Sequence, residues 1–328
     1  MTSDLDLLLD QWKRIGIEYD VKAEKLIIAD NRRVQAAIAR QVNNHGIIYQ
    51  DKGKKVMATP FEVRIEKISP YLVLVEKRRE RDIWNYALTQ WRIPVSEGYG
   101  RRMRFLIFDE FNGKLIGLLG LSSPLYALGL RDKYIGWGKE VKKEKLKNIM
   151  VAYVLGAVYP YNQENKGSKL IAMLAQSIII QKTFARNYST PTRKQPLALI
   201  ESFGGFGETP MYKDTNWQFL GLTKGNCTSH FCFPLVWDII KRNADPELVT
   251  QTNIFTDKGY WRLRVIHSAL DNLGLPAHSL INVGFQRAHY ILPLLENTLD
   301  YLSGRDFHFY PDSDSIESIT EQWKSICH

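Results

Sequence analysis

A strand, a polar loop and a helix follow one another in the stretch YPYNQENKGSKLIAML, which begins at Tyr159. The free N–H groups of such a loop and the positive end of the helix dipole both favour negative charge. The stretch therefore predicts an anion-binding site. Its predicted contacts are Tyr159, Gln163, Lys166, Gly167 and Ser168.

A basic loop with two glycines is the second candidate for anion binding. Gly98 and Gly100 permit close backbone approach to a ligand, and the paired arginines Arg101 and Arg102 suit phosphate. A strand entry with solvated arginines is an equal alternative. Other candidate contacts to nucleic acid come from the string RDKYIGW and from the lysine-rich helix after it, which suits backbone contacts. They are Arg131, Lys142 and Lys143.

The positive charge of the chain is concentrated in its middle. The net charge is +9, but residues 51–200 hold 27 Lys/Arg against 13 Asp/Glu, and the rest hold 17 against 22. A basic middle between acidic ends indicates an anionic partner, either nucleic acid or a phosphorylated cofactor. A surface neutralised by counter-ions is the alternative.

Alternation and apolar runs predict the strands of a sheet. Predicted strands are FEVRIEKI from Phe61, the run 71–75, MRFLIFDE, KLIGLLGLS, VAYVLGAVYPY and LALIESF, with a short hairpin ending in WQFLGLT. Asn112 and Gly113 carry the signal of a tight turn between two of these strands.

Apolar residues at spacings of three and four predict the helices. They cover residues 4–16, 31–43, the charged start EKRRERDIWNYALTQW, the lysine-rich segment after Gly138, and a stripe formed by Leu170, Ile171, Leu174 and Ile178. Later helices are predicted in PLVWDIIKRN, RLRVIHSALDNLG, around Leu292 to Gly304, and in the acidic tail.

Length and composition limit the class of protein. The 328 residues are enough for two domains, or one domain with extensions, and 45% hydrophobic with 24% charged residues is typical of globular proteins. With no membrane-length apolar run, no secretory signal and only three cysteines, we expect a cytoplasmic protein. The cluster Cys227, His230 and Cys232 is one ligand short of a zinc site, so no metal is predicted.

The order of elements resembles the GNAT acyltransferase superfamily. NGKLIGLLGL is similar to its central hairpin, VLGAVYPYNQENKGSKLIAML to its acyl-CoA strand, loop and helix, and PMYKDTNWQFLGLTKG to its ending. The resemblance implies an α/β (α+β) fold, a mixed and mostly antiparallel sheet flanked by helices, and acyl-CoA as cofactor. The loop departs from the family pattern, because Lys166 and Ser168 flank the single Gly167.

For acyl transfer, the backbone N–H groups near Val158 and Tyr159 would stabilise the oxyanion. Glu201, at a strand end, is the best-placed general base. The resemblance assigns the general acid to Tyr212. Asp132, in RDKYIGW, is a further catalytic or orienting acid. Each has a plain alternative: Glu201 as an ion-pair partner, Tyr212 as a packed aromatic and Asp132 as part of a structural turn.

Longer strings are similar to the DruA family, known from Druantia anti-phage defence systems and from mobile elements. They are GYGRRMRFLIFDEFNGKLIGLLGLSSP, RDKYIGW, ESFGGFGETPMYKDTNWQFLGLTKG and GFQRAHYILPLLENTLDYL. The resemblance implies a prokaryotic cytoplasmic protein that acts with other defence subunits. It brings no defined reaction.

Two hypotheses follow. In the first, the chain modifies nucleic acid, or a protein bound to it, as a GNAT-like enzyme. In the second, a catalytically inactive GNAT-like scaffold binds DNA or partner subunits. We expect an N-terminal helical extension over 1–60, a core over 61–232 and a C-terminal helical extension over 233–328.

Overall fold

The structure is a computed structural model that describes residues 3–30, 33–34, 37, 53–91, 98–192, 194–204, 209–223, 226–227, 229–231, 233–254, 258–281, 283–284 and 287–327. The strands are β1 Ile17–Asp20, β2 Lys25–Ile28, β3 Pro70–Leu74, β4 Arg102–Asp109, β5 Lys114–Ser122, β6 Ile149–Ala157, β7 Leu199–Gly204, β8 Gln218–Leu222, β9 Asn226–Cys227, β10 Val283–Gly284 and β11 Ala288–Pro293. The helices are α1 Asp4–Arg14, α2 Arg78–Thr89, α3 Gly129–Ile135, α4 Lys139–Lys145, α5 Lys166–Leu174, α6 Ile178–Tyr188, α7 Pro234–Asn243, α8 Pro246–Ile254, α9 Lys258–Asn272, α10 Ala277–Leu280, α11 Thr298–Ser303 and α12 Ile316–Cys327.

The described residues form two units with separate cores. The described parts of residues 1–44 and 224–286 make the first unit. Those of 45–91, 95–223 and 287–328 make the second and carry the large sheet. The units therefore do not follow the linear three-part division expected from the sequence, since the end of the chain belongs with the middle.

Seven strands form the sheet of the second unit, in the order β3-β4-β5-β6-β7-β11-β8. Among these described strands, β6 and β7 are parallel and the other neighbouring pairs are antiparallel. Helices α5, α6 and α12 pack on one face through a large apolar cluster, and α2, α3 and α11 cover parts of the other. The predicted mixed, mostly antiparallel sheet with flanking helices is confirmed.

The β4–β5 hairpin follows from local turn chemistry. Gly113 has φ 67, a left-handed conformation that glycine adopts without strain. Its N–H donates to the carbonyl of Asp109 over 2.8 Å, and the Asn112 side chain accepts from the N–H of Lys114 over 2.9 Å. The Asn-Gly signal thus predicted the turn, and the observed register pairs Asp109 with Lys114 across residues 110–113.

The parallel pair β6–β7 separates along its length. Its ladder runs from Ile149 and Leu199 to Ala152 and Ser202, whereas β6 continues to Ala157. After β6 the chain crosses to α5, in which Leu170, Ile171 and Leu174 are buried as predicted. Ile178 was wrongly placed in that stripe, because α5 ends at Leu174 and Ile178 begins the next helix with 36% of its surface exposed.

Three other element predictions were wrong. FEVRIEKI forms two short 3-10 turns, Pro60–Glu62 and Ile65–Lys67, rather than a strand. β8 pairs with β11 and not within a local hairpin. The helix expected from Leu292 begins only at Thr298, because the preceding residues form β11 between β7 and β8. The second and third errors involve long-range pairing that local periodicity does not encode, whereas FEVRIEKI alternates but joins no sheet.

The first unit packs helices around Trp12, Phe231 and Leu280, with small antiparallel pairs β1–β2 and β9–β10. Helix α1 matches its prediction and is capped by Ser3, whose hydroxyl accepts from the N–H of Asp6. Most of the predicted helix 31–43 lies outside the described residues. Within the described part of the chain, no helix combines the length and the hydropathy required to span a bilayer.

Replacing Gly167 by alanine should destabilise the protein. A Cβ at this position would overlap the carbonyl oxygen of Tyr161, which also accepts the Gly167 N–H over 3.0 Å. We expect a loss of about 1–3 kcal/mol in the free energy of unfolding, measured by urea denaturation. Gly129→Ala is the matched control: Gly129 is also helical, a Cβ there meets nothing within 4 Å, and it should be neutral or slightly stabilising. Equal effects of the two substitutions would contradict the packing role of Gly167.

Candidate functional site

A fully buried ion pair lies on the face of the sheet opposite the largest apolar cluster. Nη1 of Arg131, in α3, donates to Oε2 of Glu201, in β7, over 3.1 Å, and both side chains are 0% exposed. An ion buried in this way loses its hydration and needs a partner of opposite charge. Each of the two residues therefore supports the burial of the other.

The remaining donors of the Arg131 guanidinium hold the chain just before α3. Nη1 and Nη2 donate to the carbonyls of Leu125 and Tyr126 over 2.9 and 3.1 Å. Nε and Nη2 donate to Oδ1 of Asp132 over 3.1 and 2.9 Å. Arg131 thus fixes the segment from Leu125 to α3 against the sheet.

Strand register adds a histidine to this pair. Glu201 lies opposite Ile291 and Phe203 opposite His289, so Glu201 and His289 are diagonal neighbours on one face of β7 and β11. Nε2 of His289 lies 3.0 Å from Oε1 of Glu201. The ring is stacked on Phe203, with 4.7 Å between centroids, and is 0% exposed.

Asp132 connects the buried pair to the surface. Its Oδ2 accepts from Nζ of Lys142 over 2.6 Å, and Oδ1 from Nε1 of Trp137 over 3.3 Å. Burial raises the pKa of Asp132, but the hydrogen bonds from Lys142 and Arg131 outweigh it and hold the pKa below its ordinary value. Asp132 is therefore ionised at neutral pH.

The Glu201–His289 arrangement is that of an oriented base. A carboxylate that binds one ring nitrogen leaves the other free to take a proton, and among the described residues Nδ1 of His289 has no hydrogen-bond partner. Because Glu201, His289 and Arg131 are all 0% exposed, a substrate does not reach these atoms in this conformation. The network works here as a structural ion cluster.

Tyr212, the predicted general acid, lies on the opposite face of β7. Its hydroxyl is 2.6 Å from the Ser202 hydroxyl, and its ring packs on Trp217 and Tyr290. Burial raises the pKa of Tyr212 above its ordinary value, so the phenol stays protonated. Glu201 and Asp132 are thus brought together through Arg131, whereas Tyr212 is separated from them by the sheet.

The predicted acyl-CoA segment lies between β6 and α5. Tyr159 and Gln163 are exposed, Lys166 and Ser168 are half-buried, and Gly167 is buried. Lys166 forms an ion pair with Glu164 over 3.0 Å. The backbone N–H groups in this segment are the donors that a thioester or a pyrophosphate would require.

Several of these donors already have partners within the chain. The Ala157 N–H donates to the Ser168 hydroxyl over 3.2 Å, the Val158 N–H to the Ile116 carbonyl over 2.9 Å, and the Gly167 N–H to the Tyr161 carbonyl. The Gln163 and Asn165 N–H groups donate to carbonyls of the same loop. Among the five predicted contacts, the backbone N–H groups of Gln163 and Gly167 are therefore already bonded within the chain.

The predicted nucleic-acid contacts divide into buried and exposed cations. Arg131 lies inside the unit, so we reassign it from the surface to the ion cluster. Arg101 donates to the carbonyls of Lys147 and Ile149 over 2.6 and 3.3 Å, and burial lowers its pKa. Lys142 is bound to Asp132. Arg102 and Lys143 are exposed, as their predicted role requires.

Arg102 lines a groove of about 380 Å³ together with Arg104. The two arginines alternate along β4 and therefore share one face of the strand. Arg104 uses Nε to donate to the Tyr153 hydroxyl over 2.9 Å, and among the described residues its terminal nitrogens have no hydrogen-bond partner. The lining residues are Leu74, Val75, Glu76, Arg102, Met103, Arg104 and Asn187.

Arg102 and the buried cluster lie on the same face of the sheet, whereas the groove is also lined by Met103 of the opposite face. Arg102, Ser122, Val151 and Glu201 are successive register partners on β4, β5, β6 and β7. Three strand spacings correspond to about 14 Å. The buried carboxylate and the exposed arginine thus lie in one row of the sheet, separated by the buried Ser122 and the apolar Val151.

Sequence reasoning missed Arg104 and His289. Two arginines at alternate positions in RMRFLIF indicate one polar face at the start of β4, which was a usable signal. No role was predicted for His289, yet a histidine in the apolar run AHYILP needs a polar partner when buried. His230 of the predicted three-ligand cluster packs on Phe231 and lies 2.9 Å from the Leu280 carbonyl. The side chains of Cys227 and Cys232 lie outside the described residues.

The family described as "Druantia protein DruA" matches residues 22–304. A curated relative of the same name from Escherichia coli (strain UMEA 4076-1) is 36% identical over 285 residues, covering 81% of this chain and 69% of the relative. The chain belongs to the DruA family. No solved structure gives a significant match.

The strings that resemble the DruA family meet in the buried cluster. RDKYIGW supplies Arg131, Asp132 and Trp137, the string beginning ESF supplies Glu201, and GFQRAHY supplies His289. Segments far apart in a DruA-family chain are thus joined by one set of charge-assisted hydrogen bonds.

The Arg131–Glu201 pair predicts a large effect of Glu201→Gln on stability. The amide removes the fully buried counter-charge of the guanidinium, which keeps only the partly exposed Asp132. We expect a loss of about 3–5 kcal/mol in the free energy of unfolding by urea denaturation. Asp300→Asn is the matched control, since it makes the same change in the exposed pair Arg305–Asp300 and should cost no more than about 1 kcal/mol. A small and equal cost for both would show that the buried pair does not hold the sheet face together.

Proposed function

We propose that this DruA-family protein acts in anti-phage defence by binding nucleic acid, on a GNAT-like sheet that has no acyl-CoA chemistry. Its expected partners are nucleic acid and other subunits of the defence system. The proposal corresponds to the scaffold hypothesis and assigns the residues first expected to be catalytic to structural roles.

Family membership supports the defence role. The curated relative bears the name of a Druantia protein, and the family match over residues 22–304 includes most of the second unit. The GNAT likeness is supported by the central β4–β5 hairpin and by the parallel pair β6–β7, whose ladder stops at Ala152 and Ser202. Strand separation at this position is the opening in which the superfamily resemblance would place a thioester.

The donors around that opening argue against acyl transfer. Ala157 and Val158 donate to Ser168 and Ile116, so the strand end has fewer free N–H groups to offer an oxyanion. Gly167 serves close packing against Tyr161. Glu201 and Tyr212, the expected base and acid, are buried on opposite faces of β7.

One observation carries nucleic-acid binding: the groove that Arg102 and Arg104 line in the most basic part of the chain. Their guanidinium groups are suited to phosphate, which accepts planar, paired donors. Glu76, the acidic residue of the lining, lies 3.4 Å from Nη2 of Arg186 and is thereby partly neutralised.

Exposed cations extend the positive surface beyond the groove. Lys77, Arg78 and Arg79 directly follow the lining residue Glu76 and are exposed. Charges of this density attract a polyanion before contact and release condensed counterions on binding. The affinity should therefore fall steeply as salt is added.

Acetyl-CoA should not bind. Isothermal titration calorimetry with millimolar acetyl-CoA should give no saturable heat, because the loop donors are already bonded within the chain. As a control, the same protein preparation is titrated with an oligonucleotide to show that the protein is able to bind a ligand. A saturable acetyl-CoA isotherm would restore the enzyme hypothesis.

The double substitution Arg102→Ala with Arg104→Ala should weaken nucleic-acid binding. Fluorescence anisotropy with labelled single-stranded and duplex oligonucleotides should show weaker binding at every salt concentration. The slope of log affinity against log salt should fall by about 0.7–0.9 for each phosphate that the variant no longer neutralises.

Arg14→Ala is the matched control, because Arg14 is an exposed arginine of the first unit, outside the basic middle of the chain. The Arg14→Ala variant should bind the oligonucleotides with the affinity and the salt dependence of the unaltered protein. Absence of binding to either form of nucleic acid by the unaltered protein would contradict the proposed function.

A further inference from the structure

Two exposed tyrosines lie in the segments that precede β4 and follow β5. Tyr99 is 47% exposed and Tyr126 is 54% exposed, although both belong to segments bound firmly to the sheet. Large aromatic rings in such positions are usually buried or used for contact. The hydrogen bonds and charges around Tyr99 and Tyr126 indicate which kind of ligand the two rings could contact.

Hydrogen bonds join the two segments that carry these rings. The N–H of Ser123 donates to the Tyr99 carbonyl over 3.2 Å, and the N–H of Arg101 to the Ser123 hydroxyl over 3.1 Å. The Tyr99 hydroxyl donates to the carbonyl of Pro124. We name residues 98–102 and 123–126 together the tyrosine strip.

Cations lie at both ends of the tyrosine strip. Arg102 lines the groove and donates through Nη2 to the Gly98 carbonyl over 2.9 Å. At the other end, Nζ of Lys142 lies 4.6 Å from the centroid of the Tyr126 ring. The exposed Lys143 follows it in α4. The strip therefore places positive charge beside two exposed aromatic rings, and Lys142 lies over one face of the Tyr126 ring.

The buried ion cluster holds the tyrosine strip in place. Arg131 donates to the carbonyl of Tyr126, and the charges of Arg131 and Glu201 act on the Tyr99 phenol, whose pKa is raised mainly by burial. A fixed aromatic ring loses little conformational freedom when a partner stacks on it. The strip is thus ordered before any ligand arrives.

We infer that the tyrosine strip binds single-stranded polynucleotide, with bases stacked on Tyr99 and Tyr126 and phosphates held by Arg102 and Arg104. This inference rests on the proposed nucleic-acid binding and names its substrate class. In a duplex the faces of the bases are covered by their neighbours, and phosphate contacts alone would make no use of the two rings. In an unpaired strand each base exposes a face that an aromatic side chain can stack on, whatever its identity.

The decisive variant is Tyr126→Ala, measured by fluorescence anisotropy with labelled single-stranded DNA, single-stranded RNA and duplex DNA. The unaltered protein should bind the single strands more tightly than the duplex. Tyr126→Ala should weaken single-strand binding by about 5-fold to 150-fold, the range typical of removing one base–aromatic stack, and leave duplex binding unchanged. The DNA and RNA arms identify which single strand is preferred.

Matched variants separate stacking from folding. Tyr126→Phe and Tyr99→Phe retain the ring and should keep most of the single-strand affinity, whereas Tyr99→Ala should lose it. Tyr310→Ala removes an equally exposed tyrosine, 51% exposed and outside the strip, and should bind as the unaltered protein does. Should Tyr99→Ala fail to fold in thermal unfolding, Tyr126→Ala decides alone, since its ring is the more exposed.

An abasic single strand gives the sharpest control. It keeps the phosphates and lacks the bases, so Tyr126→Ala should not change its affinity. If the protein binds duplex and single strand equally, and Tyr126→Ala changes neither affinity, this inference is overturned and the proposed nucleic-acid binding stands. No binding to any of the oligonucleotides would overturn the proposed function as well.

Discussion

The burial of Arg131 is the constraint on which the second unit depends. A guanidinium with no exposed surface must have every donor occupied, and its acceptors come from separate parts of the chain: Glu201 in β7, Asp132 in α3 and the carbonyls of Leu125 and Tyr126. Buried ion pairs add little net stability, but a broken one is costly. The cluster therefore favours a single arrangement of sheet, helix and preceding segment over the alternatives.

The same constraint accounts for the burial of Glu201, the candidate general base. A carboxylate at a strand end serves as a base only when a substrate can reach it, and Glu201 is enclosed by Arg131 and His289. The loop before α5 shows the same principle in its backbone, where Gly167 and Ala157 donate to atoms of the chain itself. A backbone N–H that already has a partner within the chain gains no additional hydrogen bond when a ligand binds.

The sequence was sufficient where structure is determined locally. The Asn112–Gly113 turn, the apolar stripe of α5 and the lysine-rich α4 follow from spacing and residue type. Pairing between distant strands was not accessible in this way. Nothing near His289 indicates that β11 inserts between β7 and β8. Without that register, the His289–Glu201 contact cannot be predicted from the sequence. Arg131 was assigned to the surface because arginine is rarely fully buried, and only its tertiary partners reverse that expectation.

Charge is divided between the interior and the surface of one sheet face. Along the row from Glu201 to Arg102 the surroundings change from fully buried to exposed within about 14 Å. The ions at the buried end neutralise one another and so contribute no long-range field. The guanidinium groups of Arg102 and Arg104, at the exposed end, keep their long-range field. The segment that carries Tyr126 is bound by Arg131 of the buried cluster, and Tyr99 is hydrogen-bonded to that segment. The hydrogen bonds of Arg131 thus fix the segment that carries Tyr126, while the arginines of β4 leave the exposed end of the row positively charged.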